Sequence, residues 1–74
     1  MKLQDTDAIL KEVGIKVRAY RKERDKNYEA FAKKHSINKV TLSRIENGEN
    51  TSLRSLIQVT NALEIKLSDL FENL

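Results

Sequence analysis

The segment from residue 39 to residue 47 places its cationic and hydrogen-bonding side chains on one side of a predicted helix. On a wheel of about 100° per residue, Leu42 and Ile45 fall together with Glu46 close by. The opposite side carries Lys39, Val40, Ser43, Arg44 and Asn47, with Thr41 on the flank. Arginine and lysine pair with guanine O6 and N7, and an apolar group contacts a thymine methyl. This carboxylate-free side therefore suits the base edges of a DNA major groove.

Other kinds of site find little support in the composition. The chain has no cysteine and a single histidine, which excludes disulfides, thiolate metal sites and multi-histidine zinc sites. The carboxylates are scattered, and the sequence contains no phosphate-cradling glycine loop. We therefore expect no enzyme, catalytic residue, metal or cofactor, and we interpret His35 as a packing residue. With 74 residues there is no room for a separate sensing domain, so we expect no small-molecule ligand.

Length and charge predict one small folded domain over residues 1–74 with a basic surface. Apolar residues make up 39% of the chain and charged residues 34%, a balance typical of folded domains. Residues 1–48 hold twelve Lys/Arg and seven Asp/Glu, whereas residues 49–74 hold two and four. Such a basic region is compatible with an ordinary solvated surface and with a footprint for a polyanionic partner, and charge alone does not decide between them. No apolar run approaches a membrane span, and the first residues do not resemble a secretion signal, so we expect a cytoplasmic protein.

Helices must position the outward side of residues 39–47. The chain has no proline and two glycines, and good helix formers dominate, so we predict an all-α fold, a compact five-helix bundle. Asn27, Asn38 and Ser52 are expected to cap the second, third and fourth helices, and Gly48 is expected to end the third in a left-handed conformation. The predicted helices run from Asp5 or Thr6 to about Arg24, Tyr28 to about Lys34, Lys39 to about Asn47, Leu53 to about Leu63, and from Ser68 onward. The second and third are joined by too short a turn for antiparallel packing, which predicts a helix-turn-helix over residues 28–47.

An ordered set of motifs resembles the Cro/phage-repressor (XRE-type) helix-turn-helix family. The most specific is Thr41-Leu42-Ser43-Arg44-Ile45-Glu46-Asn47-Gly48, and further matches run from residue 9 to residue 72. They are Gly14 to Arg18, Arg21 to Arg24, Phe31-Ala32, Ser52-Leu53 and Leu67 to Phe71. The resemblance implies a lambda-repressor-like DNA-binding domain that regulates transcription in a bacterium or a phage. It also implies a homodimer on a palindromic operator, with the third helix in the major groove and half-sites about one helical turn apart.

The resemblance also assigns roles to individual residues. It places Lys39, Val40, Thr41 and Arg44 at base-reading positions. It places Asn27, Tyr28, Asn47 and Arg54 at phosphate-contacting positions. We add Ser43, which shares the outward side of the third helix with Asn47. Arg21 and Glu46 match a pair that forms an internal salt bridge in the family, and we interpret both as structural.

Several residues depart from the family pattern. Asp25, Ser36 and Glu64 stand where glycine is usual, so we expect left-handed or turn conformations there, each costing roughly 1 kcal/mol. Tyr28 and Glu49 replace a common glutamine and a common lysine, which bears on the phosphate contacts. Lys39 replaces a frequent glutamine and shifts the expected preference from adenine toward guanine.

Apolar residues crowd the end of the chain beyond what a small core needs. Some of them must complete the core, and the remainder are expected to form a homodimer interface through the fourth and fifth helices. The candidates are Ile65, Leu67, Leu70, Phe71 and Leu74. The acidic tail and Glu49 leave an alternative open, in which the same fold is an antitoxin-like or anti-repressor protein-interaction module.

Overall fold

The computed structural model describes residues 5–74 and contains four α-helices followed by a short 3-10 helix. These are α1 (Thr6–Arg24), α2 (Tyr28–Lys34), α3 (Lys39–Glu46), α4 (Leu53–Leu63) and the C-terminal 3-10 helix (Leu67–Phe71). The predicted all-helical class is confirmed, and no strand occurs in this part of the chain. Residues 1–4 of the predicted domain lie outside the described residues.

The last helix differs from its prediction. It is a 3-10 helix that begins at Leu67 and ends at Phe71, so Leu74 lies beyond it. The Asp69 carboxylate accepts a hydrogen bond from the Lys66 amide at 2.9 Å, and this contact sets the start of the helix. Extended backbone at Glu72 and a left-handed φ of 63° at Asn73 then turn the chain out of the helix.

Each α-helix begins where a short polar side chain replaces the missing backbone acceptor. The predicted caps are confirmed: the Asn38 side chain accepts from the amides of Val40 and Thr41 at 2.8 and 3.2 Å. The same role falls to Asp5 on α1, Asn27 on α2 and Ser52 on α4. These bonds satisfy first-turn amides that have no partner inside the helix.

Three helices end in the same left-handed turn. The φ angles are 55° at Ser36, 79° at Gly48 and 59° at Glu64, and each turn lets the following amide donate to a carbonyl five residues earlier. This is the geometry of a Schellman ending, which glycine adopts most easily. The prediction of special conformations is therefore confirmed at Ser36 and Glu64.

Asp25 does not adopt the left-handed conformation that we considered for it. Its φ of −156° is ordinary extended backbone. The Asp25 carboxylate accepts from the Asn27 amide at 3.0 Å, so the chain turns from α1 into α2 through a side-chain contact. A side chain that makes such a contact explains why glycine is not required here.

All five elements contribute to one core. Its fully buried members include Val17 from α1, Phe31 from α2, Leu42 from α3, Leu63 from α4 and Leu70 from the 3-10 helix. Ile9 and Tyr20 pack against this core while partly exposed. None of the helices within residues 5–74 is long and apolar enough to cross a membrane.

A close backbone approach joins α1 to the end of α3. A Cβ atom at Gly14 would lie 2.5 Å from the carbonyl oxygen of Ile45 and 2.8 Å from that of Glu46. A Cβ at Gly48 would lie 2.9 Å from the Cα of Lys11. Two glycines therefore let these backbones pack directly on each other, and this contact fixes the direction of α3 relative to α1.

Candidate nucleic-acid interface

The two sides of α3 have opposite environments. Leu42 and Ile45 are buried, whereas Val40 is 52% exposed and Arg44 is exposed. The valine is therefore not a core residue, and its methyl groups face outward beside the cation. The outward side that the helical wheel predicted is open on this chain.

The amino-terminal end of α3 carries the remaining base-reading candidates. Lys39 is exposed and lies 3.5 Å from the Glu29 carboxylate on α2. Both side chains are more than half exposed, so this ion pair contributes little and a stronger anion can replace it. Thr41 is half-buried on the flank, and Arg44 forms no ion pair within residues 5–74. The two cations are therefore available to an anionic partner.

The phosphate-contacting candidates lie on three elements around this side. Asn27 and Tyr28 stand at the start of α2, and Arg54 is exposed in the first turn of α4. Ser43 and Asn47 share the end of α3, where the Asn47 amide nitrogen lies 3.4 Å from the Ser43 hydroxyl. Asn27 and Lys39 also line one open depression between α2 and α3. The structure thus brings Asn27 near Lys39 and Ser43 near Asn47.

A buried ion pair fastens the inward side of α3 to α1. The Arg21 guanidinium donates two hydrogen bonds to Glu46, at 2.9 Å through Nε and 2.7 Å through Nη2. Its Nη1 donates to the carbonyls of Asp25 and Lys26, so the buried charges are fully hydrogen-bonded. Both charges are buried and paired with each other, which links α1 to α3 inside the domain.

The charge of Arg21 in this pair is insensitive to moderate rises of pH. The hydrogen bond to Glu46 raises the pKa of Arg21 above its ordinary value, against the opposing effect of burial. A raised pKa adds stability that is fully present below the unfolded-state pKa and is lost only as the pH rises through the folded-state pKa. For an arginine that window lies in strongly alkaline solution.

A second arginine joins this network, and sequence reasoning missed it. Arg18 is not among the predicted site residues, yet its Nε lies 3.3 Å from Glu46 Oε1 and its Nη2 donates to Asn47 Oδ1 at 3.1 Å. One signal in the sequence bears on this role: Arg18 precedes Arg21 by three residues and therefore shares its helix face, although a shared face does not identify Glu46 as its partner.

A family comparison assigns the fold. A family model described as helix-turn-helix matches residues 17–70, most of the chain. The chain belongs to the Cro/C1-type helix-turn-helix (XRE) family. Comparisons with curated proteins and with solved structures give no match.

Members of the XRE family are DNA-binding regulators, and the matched segment contains every base-reading candidate. It covers α2, α3 and α4 completely, together with the part of α1 that carries Arg18 and Arg21. The network that fastens α3 to α1 therefore lies inside the XRE domain.

The candidate dimer residues have different exposures in this XRE domain. Leu70 is completely buried and completes the core, and Ile65 and Leu67 pack against it partly exposed. Phe71 and Leu74 remain 43% and 38% exposed. Only the exposed side chains offer apolar area to a partner, and Leu53 and Ile57 of α4 add to it.

His35 packs within the XRE domain. Its ring centroid lies 4.5 Å from that of Phe31, at an interplanar angle of 49°. The prediction of a packing role at the edge of α2 is confirmed. Residues 5–74 contain no group of three or more potential metal ligands.

Proposed function

We propose that this XRE-family chain is a transcriptional regulator that binds double-stranded DNA sequence-specifically, with α3 in the major groove. The observation that carries the proposal is the open outward side of α3, which holds Lys39, Val40 and Arg44 on a helix fixed from behind by Leu42, Ile45 and Glu46. Base readout requires a helix held in a defined orientation and side chains that can bond to base edges. The buried side of α3 provides the first, and its exposed cations, with no exposed carboxylate among them, provide the second.

Base recognition is assigned to four residues of α3. Lys39 and Arg44 each carry donors for guanine O6 and N7, and the exposed methyl groups of Val40 suit a thymine methyl. Thr41 reaches the groove from the flank. The first turn is ordered by the Asn38 cap, so Lys39 and Val40 enter the groove from a defined backbone.

Phosphate contacts fix the register of α3. Donors come from the start of α2 at Asn27 and Tyr28, from the end of α3 at Ser43 and Asn47, and from Arg54 on α4. These donors lie on α3 and on two other elements, which suits contact with the two backbone strands that border one groove. Neutralised phosphates release counterions, so binding weakens steeply as salt rises.

A homodimer on a palindromic operator completes the proposal. Phe71 and Leu74 at the end of the chain, together with Leu53 and Ile57 of α4, supply the exposed apolar side chains. A two-fold dimer uses one surface twice and places two α3 helices on half-sites about one helical turn apart.

Selection of duplexes from a random library by the purified chain tests these statements together. We expect a palindromic consensus with G·C pairs opposite Lys39 and Arg44, and a linear fall of log K with log salt concentration. Equal affinity for the selected duplex and a scrambled one, or a binding constant independent of salt, would contradict sequence-specific DNA binding.

The same exposed apolar side chains favour a second candidate, a protein-interaction module such as an antitoxin. The two candidates are separated by asking whether the purified chain shifts any duplex of the random library before another protein is added. A shift by the chain alone supports the regulator. A shift that requires a second protein supports the interaction module.

A further inference from the structure

Arg18 connects the buried ion pair of the domain to its outward surface. Its guanidinium donates through Nε to Glu46, at 3.3 Å, and through Nη2 to the side-chain oxygen of Asn47, at 3.1 Å. The Arg18 side chain is 46% exposed, whereas Glu46 is buried and already held by Arg21. Two hydrogen bonds rather than burial therefore determine where the Arg18 guanidinium lies.

The chemistry of a guanidinium gives this contact a direction. Arginine has five N–H donors and no acceptor, so it bonds only to the oxygen of the Asn47 amide. The Asn47 nitrogen then points the other way, toward the Ser43 hydroxyl at 3.4 Å. With its oxygen accepting from Asn47, the Ser43 hydroxyl keeps its proton for another acceptor.

A phosphate oxygen accepts hydrogen bonds and donates none. Held in this orientation, Asn47 offers the second N–H of its amide and Ser43 offers its O–H. A flipped Asn47 amide would turn its oxygen toward the phosphate and repel it.

We propose that Arg18 is a positioning residue for DNA binding: it fixes the Asn47 amide so that Asn47 and Ser43 both present donors to one DNA phosphate. The proposal rests on the proposed function, because it concerns the phosphate contacts assigned there to Asn47 and Ser43. It names Arg18 as the residue that makes both of them donors. Arg18 itself acts through Asn47.

A double-mutant cycle on the intact chain tests the proposal, with affinity measured for the duplex selected from the random library. Arg18→Ala should weaken binding about tenfold, the range expected for a charge-assisted hydrogen bond that orders a contact residue. The matched control is Lys22→Ala, which removes one exposed cation from the same helix. It should weaken binding about twofold through screened charge alone. In an Asn47→Ala background, Arg18→Ala should cost no more than Lys22→Ala does.

The side-chain amide resonances of Asn47 provide a readout that needs no DNA. In the free protein, Arg18→Ala should shift both Asn47 amide protons toward their solvent-exposed values, while Lys22→Ala leaves them in place. The remaining spectrum and a urea titration show whether each variant is folded.

Three results would overturn the role of Arg18. The first is an equal loss of duplex affinity for Arg18→Ala and Lys22→Ala. The second is a loss of affinity for Arg18→Ala that is as large in the Asn47→Ala background as in the unmodified chain. The third is that the Asn47 amide resonances do not shift in Arg18→Ala. Failure of the unmodified chain to bind any duplex is a separate outcome. It would overturn the proposed function and with it the phosphate contact, while the amide resonances would still decide whether Arg18 orients Asn47.

Discussion

The two ends of α3 are held in different ways. Its carboxyl end lies against α1 with backbone in direct contact at Gly14, and the buried pair of Arg21 and Glu46 fastens it there. Its amino end is ordered by the side chain of Asn38 and by an exposed ion pair between Lys39 and Glu29. One end is thus fixed by tertiary contacts and the other mainly by a local cap.

This difference separates two tasks along one short helix. Burial at the carboxyl end sets the direction of α3 relative to the rest of the chain. The exposed amino end leaves Lys39 and Val40 free to meet a ligand. Substitutions at the carboxyl end should therefore reduce the stability of the whole domain, and substitutions at the amino end should act mainly on binding.

The largest effect is expected from Glu46→Ala. It leaves the buried Arg21 charge without its anionic partner, which costs about 3–5 kcal/mol of the free energy of unfolding. Urea denaturation of the variant measures this loss. Glu29→Ala is the matched control, because it breaks the exposed pair with Lys39 and should change the stability by about 0.5 kcal/mol or less. Similar losses in both variants would remove the distinction between the two ends.

Gly14→Ala should come next, with a loss of about 2 kcal/mol. Alanine gains about 1 kcal/mol over glycine in a helix, but its Cβ meets backbone carbonyls of Ile45 and Glu46 that cannot rotate away. Overpacking of this kind typically costs 1–3 kcal/mol, and the backbone contact places it at the upper end. Thermal or urea unfolding provides the measurement. The neighbouring Ile15→Ala, at a position 60% exposed, should lie within about 0.5 kcal/mol of the unmodified chain. A stabilised Gly14→Ala protein would show that α1 and α3 do not pack as closely as described.

Asn38→Ala should cost about 1 kcal/mol, because two amides of the first turn of α3 lose their acceptor. Duplex affinity should fall as well, since Lys39 and Val40 lie in the turn that frays. Asn38→Ser, which keeps a capping oxygen, should restore most of both losses. If Asn38→Ala binds the selected duplex normally, the local cap does not matter for recognition.

The smallest effects are expected at the left-handed turns that end α2 and α4. Ser36→Gly and Glu64→Gly should each stabilise the domain by about 0.5 kcal/mol, because glycine adopts a positive φ without strain but loses more entropy on folding. The Arg24 contact that Glu64→Gly removes is exposed and contributes little. Gly48→Ala is the opposite control: it should destabilise, since its φ is 79° and its Cβ would meet the backbone of Lys11. Shifts in the urea midpoint measure all three, and a stabilised Gly48→Ala would contradict the comparison.

Local signals explain why much of the fold is predictable from the sequence. Asn27, Asn38 and Ser52 each specify a helix start within a few residues, and Gly48 specifies an end. The spacing of Leu42 and Ile45 specifies the buried side of α3. These features depend on neighbours in the chain, so the sequence displays them directly.

Conformations that one particular hydrogen bond decides, between distant or neighbouring residues, could not be predicted from the sequence. The role of Arg18 depends on Glu46, which lies 28 residues later, and helical periodicity does not rank one surface cation above another. The start of the last helix depends on Asp69 accepting from the Lys66 amide, and the turn at Asp25 depends on its contact with Asn27. In each case a particular hydrogen bond decides the conformation, and residue type alone leaves the choice open.

The central claim is that the outward side of α3 reads bases while its surroundings hold phosphates. The most direct test compares Arg44→Ala with Arg54→Ala on the selected duplex and on a scrambled duplex at one salt concentration. Arg44→Ala should lose about 1–3 kcal/mol of binding free energy on the selected duplex and discriminate less between the two. Arg54→Ala should weaken both duplexes alike. Equal loss on both duplexes for Arg44→Ala, with discrimination unchanged, would contradict the account.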